Sequence, residues 1–177
     1  MRWQDSMNRT CSVARATSIF GDKWTLLILR LLFVKVNRFS DIQQSLEITK
    51  HRLTDRLKRL VEEGIIYKQL YDEKYKRYEY LLTEKGTDLY AVIITIGQWG
   101  DKWLLDGEGS PVEYIYTGCG QKADPALTCS SCGEKLTPQN ICVDMGPGLK
   151  KKLENGEISE FDRKLYAHVF DMENKNA

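Results

Sequence analysis

Apolar residues return along the first third of the chain at helical spacing. Trp24, Leu27, Ile28 and Leu31 stand at i, i+3, i+4 and i+7, the stripe of a helix with one buried face. Gly21 and Asp22 precede it, and aspartate is a residue that caps helix starts. A shorter helix is predicted over Ser12 to Phe20. In RFSDIQQSLEITKHRLTDRLKRLVEEGII, Phe39, Ile42 and Leu46 line one face of a short helix with Ser40 as its cap. Glu47 to Thr49 form a brief turn. Leu53, Leu57, Leu60 and Val61 then mark a longer helix, capped by Thr49 and closed by a left-handed Gly64, with Ile65 folding back on the last turn.

After Gly64 the pattern changes. IIYKQLY and RYEYLLT are rich in β-branched and aromatic residues, Tyr78, Tyr80 and Leu82 alternate, and DEKYK between them is polar. This is a β-hairpin with a charged tip and no glycine to make a tight turn. From Thr83 the helical period resumes, with Leu89, Val92, Ile93, Ile96, Gly100 and Trp103 on one stripe widened by Tyr90, Ile94 and Gly97. DGEGSP at 106–111 breaks the chain. Short strand-like runs, PVEYIY and NICVDM, follow around a set of cysteines. GPG at 146–148 is a second break, and the charged tail beyond it carries a last helix near Ser159 to Met172.

The order helix, helix, short helix, turn, long helix, hairpin, helix is that of a winged helix-turn-helix. The predicted fold class is α+β. Residues 1–105 form a winged helix-turn-helix DNA-binding domain, 111–148 a small β-rich ribbon-like appendage, and 149–177 a charged, partly helical tail. A long helix of this kind fits the major groove of double-stranded DNA, about 12 Å wide, while the hairpin reaches alongside toward phosphates.

Charge sharpens the picture because it is local. The whole chain carries a net charge of +1. Between Ile48 and Leu60, however, Lys50, Arg52, Arg56, Lys58 and Arg59 face only Asp55. The Leu53, Leu57, Leu60 stripe leaves Lys50, His51, Arg52, Asp55, Arg56 and Arg59 on or near the opposite face. The hairpin tip adds Lys74, Lys76 and Arg77, partly offset by Asp72 and Glu73. The candidate DNA-facing residues are therefore Arg38, Ser40, Thr49, Lys50, His51, Arg52, Thr54, Arg56, Arg59, Lys74, Lys76 and Arg77. Within them, Arg52 and Arg56 are the expected readers of base edges, and Lys74, Lys76 and Arg77 the expected phosphate contacts. No apolar run approaches the ~20 residues of a membrane span, and the first 15 residues lack the apolar core of a signal peptide. A cytoplasmic protein is expected, and its five cysteines are then thiols or metal ligands rather than structural disulfides.

CSVARATSIFGDKWTLLILRLL, RFSDIQQSLEITKHRLTDRLKRLVEEGII and YEYLLTEKG resemble the HxlR-type (MarR-related) bacterial transcriptional regulators over residues 9 to 105. The motifs are a cysteine ahead of the first helix, Gly21-x-Lys23-Trp24-Thr25, Arg38-Phe39-Ser40, Leu53-Thr54 with Arg56-Leu57, and Tyr80-x-Leu82-Thr83. The resemblance implies a homodimer on a palindromic operator, without catalytic activity, and a C-terminal helix of the winged domain that forms the dimer interface. Leu89, Ile93, Ile96, Trp99 and Trp103 are the interface candidates, with Gly97 and Gly100 allowing close approach. In part of the family a cysteine matching Cys11 senses oxidants or electrophiles. Here Cys11 lies at a helix start between Arg9 and Arg15, and both features favour a thiolate. A small packing thiol is the other reading. An effector, small molecule or oxidant, stays unidentified.

CGQKADPALTCSSCGEKL resembles a ribbon-like C-terminal extension of some family members. Cys129-x-x-Cys132-Gly133 is a turn that suits zinc. A closed site takes four ligands. Cys119, Cys129 and Cys132 give three, position 116 is tyrosine, and Cys142 is the candidate fourth. His51 and His168 are badly placed. A structural zinc with unusual spacing and a ribbon without metal both remain open. A zinc hydrolase or deaminase pairs the Cys-x-x-Cys with a His-x-Glu, which is missing, as are a phosphate loop and Gly-x-Ser-x-Gly. An enzyme is not expected. A ribbon-based protein-interaction module is the alternative outside DNA binding.

Overall fold

A computed structural model describes residues 10–105, 107 and 109–167. It divides into two compact units, Ile19–Pro125 and a second formed by residues up to Ser18 with those from Ala126 onward. This differs from the boundaries drawn on the sequence: the ribbon is cut at 125/126, and the start of the chain groups with its end.

Helix α1 spans Ser12–Phe20 and α2 Lys23–Phe33. Asp22 caps α2, its Oδ1 accepting from the Trp24 and Thr25 amides at 3.1 and 3.2 Å while Oδ2 accepts from Thr25 Oγ1 at 2.6 Å. Helix α3 covers Phe39–Leu46 and α4 Lys50–Glu62. The cap of α3 is Arg38, not Ser40, and it makes no side-chain capping bond. Arg38 is held extended by a backbone bridge to Glu79, so the helix starts two residues earlier than a Ser40 cap implies. Ser40 lies inside it and donates to Asp41 at 2.8 Å. Thr49 does occupy the cap position of α4, though its hydroxyl makes no capping bond. At the far end, Ile65 N–H reaches Leu60 O at 2.9 Å and Gly64 N–H reaches Val61 O at 3.0 Å. With Gly64 at φ +66°, this is the Schellman closure the glycine implied.

Strands β1 (Ile66–Asp72) and β2 (Arg77–Leu82) pair antiparallel, with Ile66 opposite Leu82 and Lys68 opposite Tyr80. The register slips between Leu70 and Asp72. Asp72 Oδ1 accepts from Tyr75 N–H at 3.0 Å, and Lys76 takes a left-handed φ of 47°, so an Asx contact and a strained lysine do the work of the missing glycine. The helical period after Thr83 is realised as a short α5 (Glu84–Thr87) and a long α6 (Tyr90–Trp103). The core of this unit joins Ile28, Leu29, Ile42, Leu53, Leu57, Leu60, Ile65 and Ile66, with Leu89 and Ile93 packed against it.

The remainder of Ile19–Pro125 is a minimal hairpin, β3 (Ile115–Tyr116) with β4 (Gln121–Lys122). Gln98 Nε2 on α6 donates to Pro125 O at 2.8 Å and to Asp124 Oδ1 at 3.1 Å, which explains why residues up to 125 belong with the winged helices. In the other unit, NICVDM is not a strand. Residues 141–146 carry no regular structure, and Ile141 and Val143 are exposed; β-branched residues without a neighbouring strand to pair with do not form one. The second break starts a helix: Gly146 caps α7 (Pro147–Glu154), with proline in the first turn where its missing N–H costs nothing. Ser159 caps α8 (Glu160–Leu165), and the expected continuation to Met172, with His168, lies outside the described residues. Met145, Leu149 and Ile158 form the small core here, with Tyr166 against it. Among the described residues no helix is long and apolar enough to cross a membrane.

Gly86 in α5 is buried, and a Cβ there would run into the Ile65 carbonyl oxygen and press on Leu82. Gly86→Ala is expected to lower unfolding stability by about 1–3 kcal/mol through overpacking, read by urea denaturation. An unchanged midpoint would mean that the seam between α5 and the hairpin base is looser than described.

Candidate nucleic-acid interface

The geometry of α4 follows from its stripe. Leu53, Leu57 and Leu60 are essentially fully buried, so the residues between them must face outward. Lys50, His51, Arg52 and Thr54 are all exposed. Thr54 Oγ1 donates back to Lys50 O at 2.8 Å, and His51 Nε2 lies 3.4 Å from Asp55 Oδ2 one turn on. Among the described residues, Lys50 and Arg52 have no ion-pair partner.

Arg56 is placed differently. Its Nε is 3.3 Å from Asp22 Oδ1, and both side chains are largely covered. Asp22 thus serves two elements, capping α2 and holding α4 against it. Arg59 is half-buried, and Lys58 pairs with Glu62 at 3.7 Å. The basic cluster read on the sequence is therefore split: Lys50 and Arg52 stand outward, while Arg56 ties the helix to its scaffold. Nothing in the local sequence signals a pair that spans 34 positions.

The hairpin is fastened to the same surface. Tyr80 N–H donates to Asn37 O at 2.8 Å, and Asn37 Nδ2 to Glu79 Oε2 at 3.0 Å. Arg38, exposed, lays its guanidinium 4.6 Å above the Tyr71 ring. At the tip, Lys74 Nζ and Arg77 Cζ each stand 5.2 Å from the Tyr75 ring, and Lys76 is exposed. Tyr71 and Tyr75 escaped the sequence reading because aromatic residues in a strand signal β structure first, not a platform for cations. Ser40, in the first turn of α3, and Thr49, at the cap of α4, are exposed. This unit therefore carries both an outward helix with unpaired cations and a hairpin with stacked cations, the two features that meet a groove and a phosphate backbone.

Comparison with known proteins agrees. The profile of the HxlR-like helix-turn-helix family matches residues 19–108. An uncharacterized HTH-type transcriptional regulator of Mycobacterium tuberculosis, Rv3095, is 44% identical over 142 residues, covering 80% of this chain and 90% of its own. The chain belongs to the HxlR-like helix-turn-helix family. It is a transcriptional regulator with a helix-turn-helix DNA-binding fold, and not an enzyme. Another relative is YdeP of Bacillus subtilis, an uncharacterized HTH-type transcriptional regulator, 33% identical over 94 residues, 52% of this chain and 73% of that protein. The crystal structure of PA1607 is similar at a TM-score of 0.70 and 31% identity, covering 78% of this chain and 97% of that one. PA1374 of Pseudomonas aeruginosa gives 0.55 and 28%, covering 87% and 99%. The 142 residues aligned with the mycobacterial protein exceed the family segment, so the likeness extends into the flanking parts of the chain.

Within this HxlR-like chain, the stripe expected at a dimer interface divides. Leu89 and Ile93 pack on the chain's own core. Ile96, Trp99 and Trp103 are 48%, 58% and 63% exposed. Of the cysteines, Cys119, Cys132 and Cys142 are exposed and all five are free thiols. Among the described residues no three His, Cys, Asp or Glu side chains are grouped to hold a metal, so the set Cys119, Cys129, Cys132 and Cys142 does not stand assembled as a site. The turn itself is formed: Cys129 N–H donates to Glu134 O and Gly133 N–H to Cys129 O, each at 2.8 Å. The backbone amides of Ser131 and Cys132 hold the Cys129 thiol below its ordinary value.

Cys11 lies ahead of α1. The Ala14 N–H points to its Sγ at 3.5 Å. That amide, followed by the Tyr166 hydroxyl, holds the Cys11 thiol below its ordinary value against the opposing effects of burial and of Asp162. A hydrogen bond to sulfur stabilises the thiolate, so its loss moves titration up. Site-resolved alkylation of Cys11 across pH is expected to show a midpoint below that of an unperturbed thiol, shifted upward in Tyr166→Phe. Identical profiles in the two proteins would remove Tyr166 from the environment of the thiol.

Proposed function

We propose that the chain acts as a homodimer on a two-fold symmetric operator in the cytoplasm, with α4 in the major groove and the β1–β2 hairpin along the flanking phosphates. The observation that carries this reading is the burial of Leu53, Leu57 and Leu60 together with the outward, unpaired Lys50 and Arg52. Arg52 is the reader of base edges, since a guanidinium donates in a fork to guanine O6 and N7. Arg56, bound to Asp22, sets the angle of the helix. Arg38, Lys74, Lys76 and Arg77 hold phosphates, Arg38 and the tip cations being pre-oriented by tyrosine rings. A second copy would cover Ile96, Trp99 and Trp103, whose exposure is out of keeping with a lone protomer.

Arg52→Ala is expected to weaken operator binding by about 1–3 kcal/mol and to relax base preference at one position of each half-site. Substitution of Lys74, Lys76 and Arg77 should weaken all duplexes alike and flatten the salt dependence. Selection of bound duplexes from a random pool reads both. Altered base preference in the hairpin variants, with none in Arg52→Ala, would reverse the two roles. Ile96→Glu should sediment as a monomer and lose operator affinity, because two half-sites need two spaced helices; a wild-type monomer at micromolar concentration would remove the dimer.

Cys11 supports a second, compatible reading, in which the regulator responds to oxidants or electrophiles. The specific observation is the thiol depressed by the Ala14 amide and Tyr166, since the thiolate is the reactive form. The Cys129–Cys132 turn has instead a structural role, with or without zinc. Cys129→Ser is expected to lower the melting temperature while operator affinity of the folded dimer is unchanged. Complete loss of binding in a folded, dimeric Cys129→Ser protein would place these cysteines in recognition or switching.

A further inference from the structure

The unit formed by the two ends of the chain holds a cavity of about 420 Å³, lined by residues of that unit alone. Its wall carries two cations, Arg15 from α1 and Lys152 from α7, and one acid, Asp144. Among the described residues neither cation has an ion-pair partner. Lys152 is nevertheless positioned: its Nζ donates to Thr10 Oγ1 at 3.0 Å, and Thr10 donates on to Asp162 Oδ2 at 2.9 Å. Asp162 is 4% exposed and also accepts from Ser159 Oγ at 2.8 Å. This chain of bonds uses one proton of the ammonium and leaves the others for a ligand. Asp144 has one oxygen engaged by the Met145 amide at 2.6 Å.

The rest of the wall suits a small organic body. Val143, Leu149 and the Tyr166 ring supply apolar surface. Gly146 and Gly148 contribute backbone only, and an added Cβ at either would meet nothing within 4 Å. A volume at the lower end of the 300–1,000 Å³ typical of ligand sites holds a metabolite rather than a polymer. A charged pair beside an apolar wall of about equal extent selects an anion with a hydrocarbon portion, because each part of such a ligand finds its match. Inorganic phosphate would leave the apolar wall empty.

We propose that this cavity binds a small organic carboxylate, its carboxyl group held by Arg15 and Lys152 and its hydrocarbon part lying against Val143, Leu149 and Tyr166. An Arg fork and a positioned ammonium are a strong donor set for a carboxylate. If the ligand also carries an ammonium, Asp144 is the group that receives it. The cavity's lining residues all belong to the unit that does not contain α4 and the hairpin, and the proposal does not depend on how the regulator reads DNA.

Calorimetric titration of the full-length protein tests it, with 4-methylpentanoate, its neutral amide, leucine and inorganic phosphate as probes. The expected result is saturable binding of 4-methylpentanoate or leucine at millimolar concentration or below, with the amide and phosphate at least about tenfold weaker, a difference of about 1.4 kcal/mol. Tighter binding of leucine would assign its ammonium to Asp144. Arg15→Gln and Lys152→Gln should each weaken the carboxylate about tenfold or more, whereas Lys151→Gln, on the same helix but outside the cavity, should not. No saturable heat with either carboxylate, equal binding of acid and amide, or indifference to both substitutions in proteins with unchanged circular dichroism would overturn the proposal.

Discussion

The buried stripe of α4 is the constraint on which the rest of this molecule depends. Leu53, Leu57 and Leu60 sit among Ile28, Leu29 and Ile42, and burying side chains of this size stabilises by roughly 1.5–3 kcal/mol each. That anchorage fixes the rotation of the helix. With its rotation fixed, the polar residues have one place to go, and Lys50, His51, Arg52 and Thr54 emerge on a common outer face. The Schellman closure at Gly64 then turns the chain sharply into β1, so the hairpin must rise beside the helix whose cations it complements.

Two polar contacts convert this packing into a defined surface. The Asp22–Arg56 pair links the start of α2 to the middle of α4. It is partly covered, so removing either partner costs more than an exposed pair would, where about 0–1 kcal/mol is typical. The Arg38–Glu79 bridge, with Asn37 bonded to Tyr80 and Glu79, fastens the hairpin base to the entry of α3. Helix and hairpin thus share one rigid support, which is what simultaneous contact with a groove and its flanking phosphates requires.

Much of this was legible in the sequence because periodicity reports burial. The helix order, the Asp22 cap, the Gly64 closure and the hairpin all follow from spacing and turn chemistry. What was not legible depends on partners distant in sequence. Arg56 and Arg52 are both basic, four positions apart on one helix, and only the position of Asp22 separates their environments. Ser40 is a good cap by residue type, but the pairing of Arg38 with Glu79 starts the helix earlier. Leu89 and Ile93 share a stripe with Ile96 and Trp103, yet the first two lie against the chain's own core. NICVDM has strand composition without a neighbouring strand. The cavity beside Arg15 and Lys152 needed residues more than 130 positions apart, and no local pattern announces that.

The central claim is that the outer face of α4 reads base edges in the major groove at two symmetric half-sites. Methylation interference on the operator measures this most directly, because dimethyl sulfate marks guanine N7, an acceptor exposed in the major groove. The account predicts interference at guanines in two clusters about one helical turn, roughly 10 base pairs, apart or a multiple of it. Binding indifferent to guanine N7 methylation at every position, with protection confined to the backbone or the minor groove, would contradict it.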